Sequence, residues 1–156
     1  MDYTMLKSAL IETIPWVKMS GIHVDVVEER HVRLSIPVKE RHLNHVGIVY
    51  AGTHFMLMEI SGAALFICTY GTEKFVPINK EMSIKYLKPA VDDLTCDLSI
   101  SREKAAAMIE PIEKKGRGDW ILDMSISDPS GAVVSKSTCN YYILPTPKGF
   151  RLRAET

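Results

Sequence analysis

Residues 50–71 read Tyr-Ala-Gly-Thr-His-Phe-Met-Leu-Met-Glu-Ile-Ser-Gly-Ala-Ala-Leu-Phe-Ile-Cys-Thr-Tyr-Gly. The run is helical in pattern and apolar nearly all round, through Phe55, Met56, Leu57, Met58, Ile60, Ala63, Ala64, Leu65, Phe66 and Ile67. A helix apolar on every side is expected to be buried on every side. Gly52 and Gly62 let other backbone approach it closely. Glu59 is the only charged residue between Arg41 and Glu73. Its neighbours one turn away are Phe55, Met56, Gly62 and Ala63, none of which can pair with it. Burying an unpaired carboxylate costs several kcal/mol or raises its pKa. Glu59 is therefore the leading functional candidate. The competing reading is a helix-rim position that reaches solvent or makes a structural hydrogen bond.

The flanks supply what would bury such a helix. Met5, Leu6, Leu10 and Ile14 form one stripe over residues 2–14, and Pro15 ends that helix. Ile22, Val24 and Val26 suggest a strand. A turn at 28–30 leads to a second, with Val32, Leu34, Ile36 and Val38 alternating. A polar loop fills 39–49. Beyond Gly71, strand patterns run through Met82–Tyr86, Leu94–Ile100, Trp120–Ile126 and Val133–Ile143. Asp128-Pro129-Ser130-Gly131 is a turn signature. Residues 102–115 have helical spacing, which Pro111 is expected to kink or end. Pro145, Pro147 and the charged 148–156 segment read as a frayed terminus. This order predicts an α+β fold with a largely antiparallel sheet, one face of which covers the long apolar helix.

The 156 residues are 46% apolar and 24% charged, with nineteen Lys and Arg against nineteen Asp and Glu. That excludes a disordered chain and a disulfide miniprotein, and gives no reason to expect nucleic acid as a partner. Cys68, Cys96 and Cys139 have neither CxxC spacing nor a histidine to complete a metal pattern, so they read as buried thiols in a reducing compartment. No metal site is expected. The N-terminus lacks the features of a signal peptide. The apolar stretch near 55–68 is shorter than the ~18 residues of a membrane span. A soluble, cytoplasmic protein with no membrane partner is the expectation.

Upstream of the helix stand Asn44, Gly47 and Gly52. A helix start offers free N–H groups and the positive end of a dipole, which suit a developing oxyanion. Gly47 read alone is equally a turn residue, and Gly52 equally a helix-packing residue. Asn44-His45-Val46-Gly47-Ile48-Val49-Tyr50-Ala51-Gly52, followed by Glu59, resembles the hotdog-fold acyl-CoA thioesterases, phenylacetyl-CoA-thioesterase-like subgroup. Their motif is Asn-x-x-Gly-x-x-His-Gly-Gly, then an acidic residue on the central helix. Tyr50 and Ala51 stand here in place of the His and the first Gly. Ser83–Ala90 and Ser127–Val134 also resemble that family, and the likeness spans about residues 20–145.

The resemblance implies a curved antiparallel sheet wrapped around a long central helix, dimerising through the sheet as a homodimer or homotetramer. The division implied is a single hotdog domain over 1–156, with an N-terminal helix and linker at 1–19, a core at 20–145 and a tail at 146–156. It also implies thioesterase activity on acyl-CoA, with no cofactor beyond the coenzyme A of the substrate. Glu59 would act as base or nucleophile, amides near Ala51 and Gly52 as oxyanion hole, and Asn44 as an orienting group. Substrate contacts are expected at Gly47, Tyr50, Phe55, Met56, Asn79, Lys85 and Lys88, with Met58 and Phe66 as further candidates for the acyl pocket. Two alternatives stay open: a hotdog protein that binds acyl-CoA or a lipid-like ligand without turnover, and a hydroxyacyl dehydratase using His45 and Glu59. His42 and His54 read as loop and helix-surface residues.

Overall fold

The computed structural model describes residues 2–150 and Leu152. Two short helices come first: α1 (Tyr3–Glu12), whose N-terminal amides of Thr4 and Met5 donate to the Asp2 carboxylate, and α2 (Pro15–Ser20). Strands β1 (His23–Glu28) and β2 (His31–Ile36) form a hairpin. After a 3-10 turn at Glu40–His42 comes the central helix α3 (Ala51–Tyr70). It is followed by β3 (Phe75–Tyr86), β4 (Leu94–Ser99), α4 (Arg102–Lys115), β5 (Gly118–Ser127) and β6 (Val133–Pro145).

The strands make one six-stranded sheet in the order β1-β2-β4-β5-β6-β3, with every pair antiparallel. Alternation sends Leu34, Ile36, Cys96, Leu122, Ile126 and Ile143 to the face that covers α3. They meet Leu57, Met58, Leu65 and Phe66, all fully buried. This is the helix-in-sheet arrangement that the resemblance implies. β3 lies at one edge with twelve residues, paired only to β6.

Four expectations change. First, α3 is not buried all round. Gly52, Phe55, Met56, Glu59 and Ala63 lie on one stripe that the sheet leaves uncovered, because one sheet face cannot enclose a cylinder. Second, α3 has the length and composition of a membrane span, longer than its sequence suggested, yet most of it is buried inside the fold. Third, Pro111 does not end α4, which runs on to Lys115. Pro111 is exposed, as is Ala107, so the carbonyl it leaves without a donor faces water. Fourth, residues 15–20 form α2 rather than a linker, because Pro15 starts a helix as readily as it ends one.

The C-terminal segment is also more ordered than its prolines suggest. The Thr146 amide donates to the Lys74 carbonyl at 3.0 Å and its hydroxyl to the Thr72 carbonyl at 2.7 Å. Leu152 packs against the core. Residue 151 and residues 153–156 of the expected frayed terminus lie outside the described residues.

Candidate functional site

The loop before α3 is built on Asn44. Its side-chain oxygen accepts from the amides of Val46 at 2.9 Å and Ile48 at 3.3 Å. Gly47 takes φ +81°, a left-handed conformation that costs glycine little. The loop is tied down by Val49 N–H to the Ala90 carbonyl and Tyr50 N–H to the His42 carbonyl, both at 2.8 Å. His42 is buried rather than a surface loop residue. Its Nδ1 accepts from the Lys39 amide at 2.9 Å, which leaves Nε2 to donate to the Ser20 carbonyl at 2.7 Å. Tyr50 then caps α3 without a side-chain bond. The Thr53 amide donates to the Tyr50 carbonyl, whereas the amides of Ala51 and Gly52 find no acceptor among the described residues.

The two residues line different cavities, Ala51 one and Gly52 the other. One, of about 360 Å³, is lined by Asn44, Ala51, His54, Tyr86 and Lys88. His54 is buried, not on the helix surface as its sequence position suggested. Its Nδ1 lies 2.9 Å from Ser135 Oγ, and the Tyr86 ring stands edge-on to it at 5.4 Å. Burial holds its pKa below the ordinary 6.5, so the imidazole is neutral at pH 7. Lys88 lies 3.6 Å from Asp128.

The second cavity, of about 610 Å³, lies between α2 and α3. Its walls include Trp16, Met19, Tyr50, Gly52, Phe55, Met56 and Glu59. Glu59 sits on the uncovered stripe of α3, half-buried, and no described hydrogen bond or ion pair reaches its carboxylate. Burial pushes its pKa above the ordinary value. Its backbone carbonyl accepts from the Tyr141 hydroxyl at 2.6 Å, which anchors this turn of α3 to β6.

The structure thus gathers Glu59, Gly52, Tyr50, Phe55 and Met56 at one cavity, and Asn44, Ala51 and Lys88 at another. Within one chain the two sets do not converge, since Ala51 and Glu59 are separated by about 12 Å of helix rise. Gly47 lines neither cavity. Met58 and Phe66, expected as pocket residues, are fully buried in the core. Asn79 pairs in register with Tyr141 on β6, its side-chain amide nitrogen buried without a partner among the described residues. Lys85 lies apart, exposed beside Ser83, Asp123 and Lys136. His45 is exposed and lines neither cavity. The three cysteines are buried and unpaired, as expected, with burial pushing the Cys96 thiol up to about 12 and Cys139 to about 11. Among the described residues, no three His, Cys, Asp or Glu side chains gather as metal ligands.

Sequence reasoning missed His54 and the α2 wall. The signal for His54 was present: it shares the buried stripe of Leu57, Met58, Ser61 and Leu65, where a histidine needs a partner. For Trp16 and Met19 there was none, because their role depends on where α2 packs.

The family profile described as "Domain of unknown function (DUF4442)" matches residues 3–143. No curated protein matches the chain. Among solved structures, PA5026 of Pseudomonas aeruginosa, described as a protein of unknown function and probable thioesterase, is similar at 29% identity and a TM-score of 0.85. The likeness covers 93% of this chain and 97% of that one. A variant of thioesterase PA1618 of the same organism is similar at 15% identity and TM-score 0.72, over 93% and 95% of the two chains. The smu.793 protein of Streptococcus mutans, solved bound to acetyl CoA, is similar at 20% identity and TM-score 0.61, over 81% and 91%. These likenesses establish the hotdog fold.

Proposed function

The chain belongs to the DUF4442 family of domains of unknown function, and from that premise we propose that it is an acyl-CoA thioesterase whose site forms between two copies of the chain. The observation that carries this reading is Glu59, a half-buried carboxylate without a partner among the described residues that opens onto an apolar cavity of about 610 Å³. Such a group is too costly to keep as packing and is poised to exchange a proton. The fold neighbours described as thioesterases, and the one bound to acetyl CoA, support the choice of ligand.

The chemistry follows from the groups present. The thioester carbonyl oxygen accepts hydrogen bonds from the Ala51 and Gly52 amides at the positive end of α3. Glu59 takes a proton from water as that water attacks the carbonyl carbon. The C–S bond then breaks, and the proton returns to the departing thiolate sulfur. In the nucleophilic variant the carboxylate attacks first and expels the thiolate, and water then hydrolyses the resulting anhydride, which frees the acid, restores the carboxylate and supplies the proton that the thiolate takes up. Because about 12 Å separates Ala51 from Glu59 on one helix, the carboxylate is supplied by a second copy. The unpaired edge of β3 and the uncovered stripe of α3 are the surfaces such a copy would cover. Asn44 holds the loop that presents the amides. Tyr50, Phe55 and Met56 wall the thioester group, while Lys88 stands at the rim to meet coenzyme A phosphate. Asn79 and Lys85 have no part in this arrangement within one chain. The reading calls on no metal or added cofactor, and the buried unpaired thiols accord with a cytoplasmic setting.

The test is thiol release from a panel of acyl-CoAs by wild type and Glu59→Gln. Turnover in the wild type that collapses in a folded variant supports the reading. Equal turnover in both moves the base elsewhere. Tight acyl-CoA binding without thiol release in the wild type replaces the enzyme with a binding protein.

A further inference from the structure

Glu59 borders a second opening on its other side. Past it, α3 presents Ala63 and Ile67, and with Glu59 they line a groove of about 300 Å³. Leu10 of α1, Ile78 of β3, and Phe150 and Leu152 of the C-terminal segment line it as well. Glu59 is the one ionisable side chain among the described lining residues, and it is the first of those that α3 contributes. From residue 59 to residue 67 the helix rises about 12 Å, the span of an extended alkyl chain on the order of ten carbons. A phenyl ring would occupy about half that length.

Apolar walls that follow α3 from a single carboxylate define a site for an aliphatic chain whose head group carries the reacting atoms. We propose that this groove binds the acyl tail of a medium-chain, unbranched thioester, and that Ala63, Phe150 and Leu152 set the chain length accepted. The inference rests on the reading of Glu59 given above and adds the substrate class to it. The thioester then sits where Glu59 of one copy meets the Ala51 and Gly52 amides of the other, and the acyl tail runs away from it along the α3 that carries that Glu59. Phe150 and Leu152, within the segment read from sequence as a frayed end, become part of the wall. Ala63 explains itself in this setting: it is a small residue on the uncovered stripe, directly one turn beyond Glu59.

The experiment compares kcat/KM for decanoyl-CoA and acetyl-CoA in wild type and Ala63→Trp. Each seated methylene is worth roughly a factor of four, so an indole that blocks several positions should lower the decanoyl-to-acetyl ratio at least tenfold. A ratio within twofold of wild type overturns the groove while leaving the thioesterase reading intact. Phe150→Ala, a change at a half-exposed wall residue, guards against misfolding of the first variant. It should lower the same ratio severalfold, and an unchanged ratio again counts against the groove. If the wild type hydrolyses no thioester, the reading of Glu59 fails, and the groove is tested by binding of the S-decyl-CoA thioether. Binding weakened at least tenfold by Ala63→Trp sustains a lipid-chain site. Absent or unaltered binding overturns it.

Discussion

Gly62 lies on α3 where the helix touches Tyr141 of β6. A Cβ at residue 62 would stand 2.7 Å from Cζ and 2.8 Å from Cε2 of that ring, with the hydroxyl nearer still. Replacing it with alanine sets two effects against each other. Helix propensity favours Ala by about 1 kcal/mol. Overpacking costs about 1–3 kcal/mol, and more where the neighbour cannot move. Tyr141 cannot move freely. It is fully buried, its ring lies 5.8 Å from that of Trp120, and its hydroxyl donates to the Glu59 carbonyl at 2.6 Å. Displacing it also forfeits about 1 kcal/mol of hydrogen bonding. The packing effect should win, leaving Gly62→Ala about 2 kcal/mol less stable than wild type, a fall of about 4–8 °C in Tm for a chain of this size. Urea denaturation at fixed protein concentration measures it, the fixed concentration removing any contribution from association. Gly62→Ala/Tyr141→Phe should be less destabilised than the sum of the single changes, because the hydroxyl makes the closest approach. Stability of Gly62→Ala equal to or above wild type would refute the reasoning, since helix propensity would then have outweighed the contact.

Other consequences can be checked directly. Glu59→Gln should lower kcat by about 10²–10⁴, and wild-type kcat/KM should rise with pH through an apparent pKa above 4.5; a profile flat between pH 4 and 8 contradicts a carboxylate base. The same raised pKa means that the contribution of Glu59 to stability is full below its unfolded pKa and is lost as pH rises through the folded one. Glu59→Gln should therefore gain stability on wild type between acidic and neutral pH, as denaturant midpoints would show. His54 runs the other way: its lowered pKa makes its contribution present above 6.5 and lost as pH falls through the folded value. Wild type should lose stability below pH 6.5 relative to His54→Gln, and parallel pH curves would count against burial as the cause. Ser135→Ala removes the hydrogen-bond partner of His54 Nδ1 and should cost about 1–3 kcal/mol in the same assay. Sedimentation should give a mass at least twice that of the 17.5 kDa chain; an active monomer would sink the composite site.

Much of the architecture is local and periodic, and so it is visible in the chain. Alternation in Val32–Ile36 and Leu94–Leu98 announces strands. The turn at Asp128–Gly131 is written in residues that adopt its dihedrals. Glu59 stands out because it alone is charged in a run of apolar neighbours. The start of β3 at Phe75 was harder to see: Pro77 interrupts its pattern, which an edge strand tolerates and a central one does not. The persistence of α4 through Pro111 depended on the surface position of that turn, which no local rule supplies.

What the sequence by itself determined was the class of fold, the central helix and the carboxylate on it, because periodicity and the cost of an unpaired charge are properties of neighbours along the chain. Only the tertiary structure decided that Glu59 opens onto two apolar spaces, that His54 is held by Ser135 eighty-one residues away, and that Phe150 and Leu152 wall a groove. It also decided that Ala51 and Asn44 face a cavity other than the one that holds Glu59. Cavities are made by residues distant in sequence, and their shape depends on crossing angles and strand register, which no window of neighbouring residues contains.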